Sequence, residues 1–392
     1  MVACALAVGA ALDLSSPGSR ASDAAIPSAI PGPGPLSCVL EVSGRDASGN
    51  TVLQTVGYAL DRPGLVLAPL SATAHGAARW RTLVVAPDAL ASSSAGAVDV
   101  TEILLEDPGR DLMLLRAPGL GACEAGDSAA VPPAAAGDAL IGIRNRDGYR
   151  SRVYRAVLDR SLPVRGGPDL LRLRVPDGGG AGSGFLLDGR RRLIGSVLPP
   201  PAGGDRLFAC AVPIDRPALD AAATRTGRPL LEAPPAPLVQ AQPARTAAGL
   251  LAQALLLTRD DQADRVLALL DEAVSLSGDS DVLLMERGAW RFRIGRTEAA
   301  ILDFARAAVL NPRLFLAHLN LGVALGTTGR YPEAADAFKR ALSIDPYNAP
   351  ARYQLAVALA AAKHRDQARG EYERLRLLDA SLARDLGALL QF

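Results

Sequence analysis

The sequence is short of histidine, cysteine and aromatic residues, and its charges almost cancel. Three histidines and 4% aromatic residues occur in 392 positions, and 42 Lys and Arg residues face 41 Asp and Glu residues. No basic cluster is interleaved with aromatic residues. Because sequence-independent binding of nucleic acid needs a basic face, the composition argues against a nucleic-acid partner.

The four cysteines contain no Cys-x-x-Cys pair, which excludes a zinc ribbon and a redox dithiol, and we predict neither a metal nor a cofactor. Cys4 lies in the N-terminal apolar segment. Cys38, Cys123 and Cys210 leave two alternatives open. One is a single disulfide with one thiol over, formed in an oxidising compartment; the other is three small buried side chains.

Hydrophobic runs are also short. Residues 2–12 form the longest apolar stretch near the N-terminus, which has the length of a secretory signal core and is far too short to span a membrane. No basic residues precede it. Residues 13–36 are rich in Ser, Pro, Ala and Gly. We therefore expect 1–36 to be an export segment and tether, and the protein to be periplasmic or extracellular, with membrane attachment through this segment as an alternative.

Two parts of the chain have different hydrophobic periods. Short apolar runs such as "GLVLAPL", "DLMLLRA" and "RLIGSVL" are separated by Gly, Pro, Asp and Asn up to about residue 215, which is typical of an all-β domain. A proline-rich linker is predicted at 229–246, since its prolines prevent a regular helix. From 247 onwards the pattern is helical.

The helical part repeats every 34 residues. A small residue in one column would let two helices approach closely, and an aromatic residue in another would fill the gap between them. The pattern resembles a tetratricopeptide repeat (TPR) domain over 247–392. Its columns are Ala254, Gly288, Gly322 and Ala356; Leu270, Phe304, Phe338 and Tyr372; and Ala273, Ala307, Ala341 and Leu375. Its four units would be 247–280, 281–314, 315–348 and 349–382.

A TPR array implies a concave groove lined by the first helix of each unit. The lining here is apolar, and the basic residues of a carboxylate-binding clamp are absent, although Asn320 occupies one plausible position. The partner we predict is therefore a hydrophobic helix or an extended peptide of another protein. Packing of the groove on the β domain or on a second copy is the alternative. The predicted lining residues are Met285, Ala289, Phe292, Leu316, Leu319, Asn320, Val323, Tyr353 and Val357.

Five stretches, from "DRPGLVLAPL" (61–70) to "VPIDRPALDAAATRTGRP" (212–229), make residues 37–228 resemble the bacterial trypsin-like serine protease domain of the HtrA/Deg kind. The resemblance implies two packed six-stranded antiparallel barrels with an active site between them. The predicted fold class is thus a trypsin-like double β-barrel followed by an all-α TPR solenoid. The stretches that carry it are "DRPGLVLAPL" (61–70), "EDPGRDLMLLRAP" (106–118), "AAAGDALIGIRNRDG" (134–148), "LLDGRRRLIGSV" (186–197) and "VPIDRPALDAAATRTGRP" (212–229).

Catalysis in that family needs a serine, a histidine that takes its proton, and a carboxylate that orients the histidine. Asp111 matches the carboxylate. The histidine position lies seven residues after the glycine matched by Gly64, which places Ser71 there. His75 comes four residues later and could act only if the loop carries an insertion. Without a histidine, Asp111 would cap backbone N–H groups or pair with an arginine.

The nucleophile position shows the same kind of offset. Counting back from Leu186-Leu187-Asp188 places Gly182 on the nucleophile and Ser183 on the glycine that follows it. Ser183 becomes the nucleophile only if one residue is deleted after it, and Phe185 would then sit close behind the site.

These offsets favour a non-catalytic scaffold, in which a pseudoprotease domain is joined to peptide- or protein-binding repeats. The first alternative is an active serine endopeptidase that uses His75, Asp111 and Ser183, with the repeats recruiting substrate. A weaker alternative is a cell-envelope assembly subunit in which both parts are structural.

Overall fold

The computed structural model describes two compact units, and the chain passes from one to the other after Thr258. Each unit has its own hydrophobic core. The residues that the structure describes are 38–71, 82–87, 96–123, 134–146, 150–165, 167–176, 182–205, 207–230 and 246–391. The predicted export segment and most of the predicted linker lie outside these residues.

The first unit begins with an antiparallel sheet of eight strands in the order β14-β6-β7-β3-β2-β1-β4-β5. Its central strands are almost continuously apolar, and β3 is buried at every position. The strands are β1 (Val39–Arg45), β2 (Thr51–Ala59), β3 (Leu65–Pro69), β4 (Thr82–Pro87), β5 (Val98–Asp99), β6 (Glu102–Asp107), β7 (Leu112–Arg116) and β14 (Arg228–Pro229).

A closed barrel of six strands follows, in the order β10-β13-β12-β11-β8-β9, and every neighbouring pair with a described register is antiparallel. Closure leaves no free strand edge. The strands are β8 (Ala139–Arg146), β9 (Arg150–Leu162), β10 (Leu170–Arg174), β11 (Gly184–Leu187), β12 (Leu193–Val197) and β13 (Phe208–Pro213).

The barrel agrees with the predicted β architecture, whereas the first sheet differs from the second closed barrel that was expected. Only Val100 and Thr101 separate β5 from β6, although these strands lie near opposite ends of the strand order. The sheet therefore curls back on itself. Its outer edge at β6 pairs with β14, through Arg228 opposite Ile103 and Pro229 opposite Glu102. Within the described residues, β14 occupies the edge of β6 with which another strand would have to pair to close the sheet into a barrel.

A shared apolar core packs the first sheet against the barrel. Leu67 and Leu112 of the sheet and Ile143 and Phe185 of the barrel belong to one buried cluster. Phe185 is fully buried, and its ring lies 5.9 Å from the ring of Tyr58, centroid to centroid. The bulky residue that the sequence placed behind the site is therefore a core residue, and its burial stabilises the fold by about 1.5–3 kcal/mol.

One disulfide joins Cys38, just before β1, to Cys123, which follows β7. Cys210 is a buried free thiol. Of the two alternatives left open by the sequence, the structure has the disulfide with one thiol over. The cross-link closes a loop with a sequence separation of 85, for which chain-entropy models give a stabilisation of about 4–5 kcal/mol.

Two helices complete the first unit, α1 (Arg216–Ala223) and α2 (Ala247–Leu255). Eight of the nine residues of α2 are buried. The Cys210 Sγ lies 3.8 Å from the carbonyl oxygen of Ala252, and the Asp205 N–H donates to the carbonyl of Leu256 at 2.7 Å. The helix expected to open the repeat array at residue 247 thus packs within the β unit. Since α2 is apolar on all sides, it needs burial on more than one face.

Within the described residues the second unit contains eight α-helices, and successive helices pack against one another. A Cβ atom added to Gly322 would lie 2.7 Å from the ring of Phe338, and one added to Gly288 would lie 2.7 Å from the ring of Phe304. The packing of small residue against aromatic ring is therefore as expected from the 34-residue columns. The helices are α3 (Ala263–Ser277), α4 (Asp281–Arg293), α5 (Thr297–Leu310), α6 (Phe315–Thr327), α7 (Tyr331–Ile344), α8 (Ala349–Ala361), α9 (Arg365–Leu378) and α10 (Ala380–Leu390).

Replacing Gly184 with alanine should destabilise the barrel. The new Cβ atom would lie 2.0 Å from the carbonyl oxygen of Ile143 on β8, so the two strands would have to separate. We expect a loss of about 1–3 kcal/mol or more in urea unfolding followed by far-UV circular dichroism. Gly189→Ala is the matched control, because nothing lies within 4 Å of its added Cβ atom. Equal stability of the two variants would contradict the packing described for β11.

Candidate functional site

Strand ends bring three polar residues together in the first unit. Ser71 follows β3, Asp111 immediately precedes β7, and Ser183 immediately precedes β11. Strands β3 and β7 pair with Pro69 opposite Leu112, so Ser71 and Asp111 leave the sheet side by side. Ser183 comes from the barrel. The site is therefore built where the sheet and the barrel meet.

The Asp111 carboxylate is buried and holds the backbone at the end of β3. It accepts a hydrogen bond from the Ser71 N–H at 2.5 Å and another from the Ser71 hydroxyl at 2.7 Å. The Asp111 backbone has φ +51°, in the left-handed region that side chains other than Gly, Asn and Asp rarely adopt. The carboxylate thus caps a backbone N–H group, which is the structural role expected for it in the absence of a histidine.

The hydroxyls of Ser71 and Ser183 lie 2.6 Å apart. Either hydroxyl can donate across this contact, and the Ser183 hydroxyl also hydrogen-bonds the Asp111 carboxylate. The three side chains therefore form one hydrogen-bonded cluster. At 2.6 Å there is no room for another group between the two hydroxyls.

Burial raises the pKa of Asp111 from 3.8 to about 6, against the lowering effect of hydrogen bonds from Ser71 and Ser183. Loss of hydration is thus stronger here than the hydrogen bonds that favour the charged form. The carboxyl is mainly ionised at neutral pH, but its charge opposes folding. A charge that is unfavourable for stability is typical of functional sites, although structural networks also produce such shifts.

Neighbouring contacts fix the loop that presents Asp111. The Ser196 hydroxyl donates to the Arg110 carbonyl at 2.5 Å. The Arg110 guanidinium donates to the carbonyl of Pro213 at 3.2 Å and forms ion pairs with Asp107 and Asp215. These contacts join the sheet to β12, β13 and the start of α1. The sequence analysis did not single out Arg110 or Ser196; the one signal was a lone serine in the buried strand "LIGSV".

The structure brings Asp111 and Ser183 together, and it places Ser71 between them. Gly182 is half-buried beside Ser183. His75 lies outside the described residues, as do residues 177–181 of the glycine-rich turn. The direct contact between the two serines was not foreseen, since each was assigned a position separately by counting from a neighbouring motif.

A hydroxyl cannot replace a histidine as the base of a serine nucleophile. Ser71 can pass a hydrogen bond to Asp111, but its own oxygen is far too weakly basic to hold a proton at neutral pH. In the part of the chain that the structure describes, the partners of the Ser183 hydroxyl are the Ser71 hydroxyl and the Asp111 carboxylate. Among the described residues, the arrangement holds strand ends together and brings no imidazole to Ser183.

The residues predicted to line the repeat groove are more enclosed than an open groove would make them. Five are buried, Met285, Leu319, Asn320, Val323 and Val357. Ala289, Phe292, Leu316 and Tyr353 are half-buried and pack against the core of the array. These four are the ones whose side chains retain a surface that a partner could contact.

The described residues contain no group of three or more His, Cys, Asp or Glu side chains placed to hold a metal ion. Nor does any described helix combine the length and apolar character needed to cross a bilayer.

Comparison with known proteins bears on the helical unit. Residues 327–390 match the model of the Tetratricopeptide repeat family. The chain contains tetratricopeptide repeats. It is 35% identical over 77 residues to the Small glutamine-rich tetratricopeptide repeat-containing protein 2 of Mycosarcoma maydis, a match that covers 20% of this chain and 22% of that protein. The chain therefore spans about a fifth of the length of this relative.

Two solved structures each resemble part of the chain. The crystal structure of MamA protein is 22% identical, covers 35% of this chain and 75% of its own, and gives a TM-score of 0.33. The Rv3671c protease from M. tuberculosis, in its active form, is 17% identical, covers 49% and 83%, and gives a TM-score of 0.38.

Replacing Asp111 with asparagine should stabilise the protein at neutral pH. The raised pKa means that the folded state disfavours the charged carboxyl. The carboxyl therefore lowers the free energy of unfolding increasingly from about pH 4 to about pH 6, and by a constant amount above pH 6. The full pKa shift of Asp111 corresponds to a destabilisation of about 3 kcal/mol, which the substitution removes. Because the variant also loses hydrogen bonds of the carboxylate, we expect its free energy of unfolding to rise by about 1–3 kcal/mol.

The measurement is urea unfolding of both proteins between pH 4 and pH 8. Asp220→Asn is the control, because its side chain is 54% exposed and its ion pair with Arg62 contributes little. A variant at position 111 that is less stable than the parent throughout this range would show that the carboxylate stabilises the fold.

Proposed function

We propose that this chain is a non-catalytic scaffold protein. Its helical repeats would bind a protein or peptide partner, and its β unit would be a pseudoprotease with the trypsin-like double-barrel fold of the HtrA/Deg kind. Tetratricopeptide repeats generally bind proteins or peptides, and residues 327–390 carry the family match.

The contact between Ser71 and Ser183 is the observation that carries the proposal for the β unit. The sequence count assigns the histidine position to Ser71, and the Ser71 hydroxyl bonds both Asp111 at 2.7 Å and Ser183 at 2.6 Å. The histidine that would take the proton of the serine is replaced at this position by a hydroxyl, which cannot hold that proton. Loss of the base removes the chemistry but leaves a folded surface.

The proposed location is outside the cytoplasm, in the periplasm or extracellular space. The disulfide between Cys38 and Cys123 supports it, because disulfides persist chiefly in oxidising compartments. The apolar run at residues 2–12 supports export as well, and attachment to the membrane through this segment is part of the same proposal.

An active serine endopeptidase with His75, Asp111 and Ser183 is the second candidate. It is favoured by one observation, that Asp111 and Ser183 belong to one hydrogen-bonded chain. It would require the histidine to displace Ser71 from its contact with Ser183.

Labelling with a fluorophosphonate separates the two candidates. We expect the intact mass of the folded full chain to remain unchanged after incubation, because the described partners of the Ser183 hydroxyl, Ser71 and Asp111, include no imidazole base. Ser183→Ala is the control for nonspecific modification. A stoichiometric adduct that disappears in this variant would contradict the pseudoprotease proposal and support the endopeptidase.

Partner binding through the repeats is tested by changing the half-buried groove residues. We expect Leu316→Glu and Tyr353→Glu to reduce capture of a partner from cell extract by about tenfold or more, since a charge would face an apolar contact. Leu302→Glu is the control, because Leu302 is 71% exposed on α5. Far-UV circular dichroism must show equal helicity in all three variants. A partner captured equally by all of them would contradict binding at this surface.

A further inference from the structure

Helix α5, the second helix of its repeat unit, carries an apolar stripe on its exposed side. Leu302 is 71% exposed and Val309 is 78% exposed. Ala305 lies between them, and Glu298 lies four residues before Leu302. Residues spaced by four, three and four positions lie on one side of a helix, which is the pattern with which two helices pack along a seam. The stripe therefore consists of Glu298, Leu302, Ala305 and Val309.

Comparison with the other units shows that the repeat array does not need these apolar side chains. Packing between units continues where the two columns hold small or polar residues. Single exposed apolar residues are common on protein surfaces, whereas two on one stripe indicate a contact surface. At the position of Leu302 the second helices α3, α7 and α9 have Ala268, Asp336 and Gly370, and at the position of Val309 they have Ser275, Ser343 and Leu377.

The stripe is complementary to itself when a second copy of α5 lies against it in the opposite direction. Leu302 of each copy then contacts Val309 of the other copy, on both sides of a twofold axis that passes near Ala305. A small residue at the axis allows the two helices to approach closely. This symmetry favours a second copy of the chain over an unrelated helix.

Charges at the two ends of the stripe favour the antiparallel direction. Glu298 lies in the first turn of α5, Arg313 lies three residues after its last residue, Leu310, and both charged residues are exposed. In an antiparallel pair the beginning of one helix lies beside the end of the other, so Glu298 meets Arg313. In a parallel pair Glu298 would meet its own copy, and like charges oppose association. Arg306, beside the stripe, is already paired with Asp279 at 2.9 Å.

We propose that the protein forms an antiparallel dimer through α5. Leu302 of each copy packs on Val309 of the other, and Glu298 of each lies beside Arg313 of the other. The helix has 14 residues and is about 21 Å long. Such a contact is smaller than the roughly 1,200 Å² of a stable complex, so the dimer forms reversibly, with a dissociation constant on the order of 100 µM. The inference does not depend on partner binding by the repeats.

Sedimentation equilibrium of the full chain between about 10 and 500 µM tests the association. The average mass should rise from that of one chain, 40.6 kDa, toward twice this value. Leu302→Glu and Val309→Glu should each weaken association about tenfold or more, because they place a charge in an apolar seam. Leu377→Glu is the matched control, since Leu377 is 84% exposed on α9 beside Gly370 and Glu373. Far-UV circular dichroism must show equal helicity in all variants.

Exchange of the two charges tests the direction of the helices. Glu298→Arg and Arg313→Glu should each weaken association about fivefold, since either change brings like charges together at both ends of the dimer. The protein with both substitutions should associate like the parent, because the ion pairs are restored with their signs exchanged. Absence of this rescue would contradict the antiparallel arrangement.

Disulfide trapping tests the register without relying on affinity. Leu302→Cys and Val309→Cys proteins, both also carrying Cys4→Ser, are mixed and oxidised; Cys210 is buried. The mixture should give a cross-linked dimer on a nonreducing gel, because the two new thiols lie opposite each other. Either protein alone should not, since its two thiols would lie about 10 Å apart along the helices, too far for a disulfide.

Several results would overturn the inference. They are a constant mass of one chain up to the highest concentration, equal association of the parent, Leu302→Glu and Val309→Glu, or cross-linking of either cysteine variant alone to the level of the mixture. If the parent remains monomeric and Leu302→Glu loses a captured protein partner, the stripe binds another protein and this inference fails. If Leu302→Glu loses association but keeps the partner, both the dimer and the proposed function stand.

Discussion

The hydrogen bonds at the buried side chain of Asp111 fix how the sheet meets the barrel in the β unit. It holds the end of β3 against the start of β7 through the backbone of Ser71, and through the Ser71 hydroxyl it reaches Ser183 at the edge of the barrel. Burial makes its charge unfavourable, yet the surrounding contacts of Arg110 and Ser196 keep its loop in place. One buried side chain thus fixes the geometry of this junction, and its charge does not add to the stability of the fold.

The helical unit follows a different rule, in which small residues allow helices to approach and aromatic rings fill the space. Gly288 with Phe304 and Gly322 with Phe338 repeat the same contact one unit apart. This packing is satisfied within the array.

Most of the architecture could be predicted because it depends on local periods. Columns at 34-residue spacing gave the helical repeats, and alternating apolar runs gave the β unit. The count from Gly64 assigned the histidine position to Ser71, which lies against Asp111 in the structure. The contact of Ser71 with Ser183 could not be predicted, since it joins loops 112 residues apart. The pairing of Cys38 with Cys123 could not be chosen among three cysteines for the same reason.

Because α2 belongs to the first unit, the proline-rich stretch before it is not the connection between the two units. Pro229 in β14 and Thr246, the N-cap residue of α2, both belong to the first unit. The covalent passage between the units is instead the short piece of chain around Thr258. A protease that cut the proline-rich stretch would leave α2 held to the barrel by its buried face. The two fragments of such a nicked molecule would stay together through the contacts of α2 with the barrel.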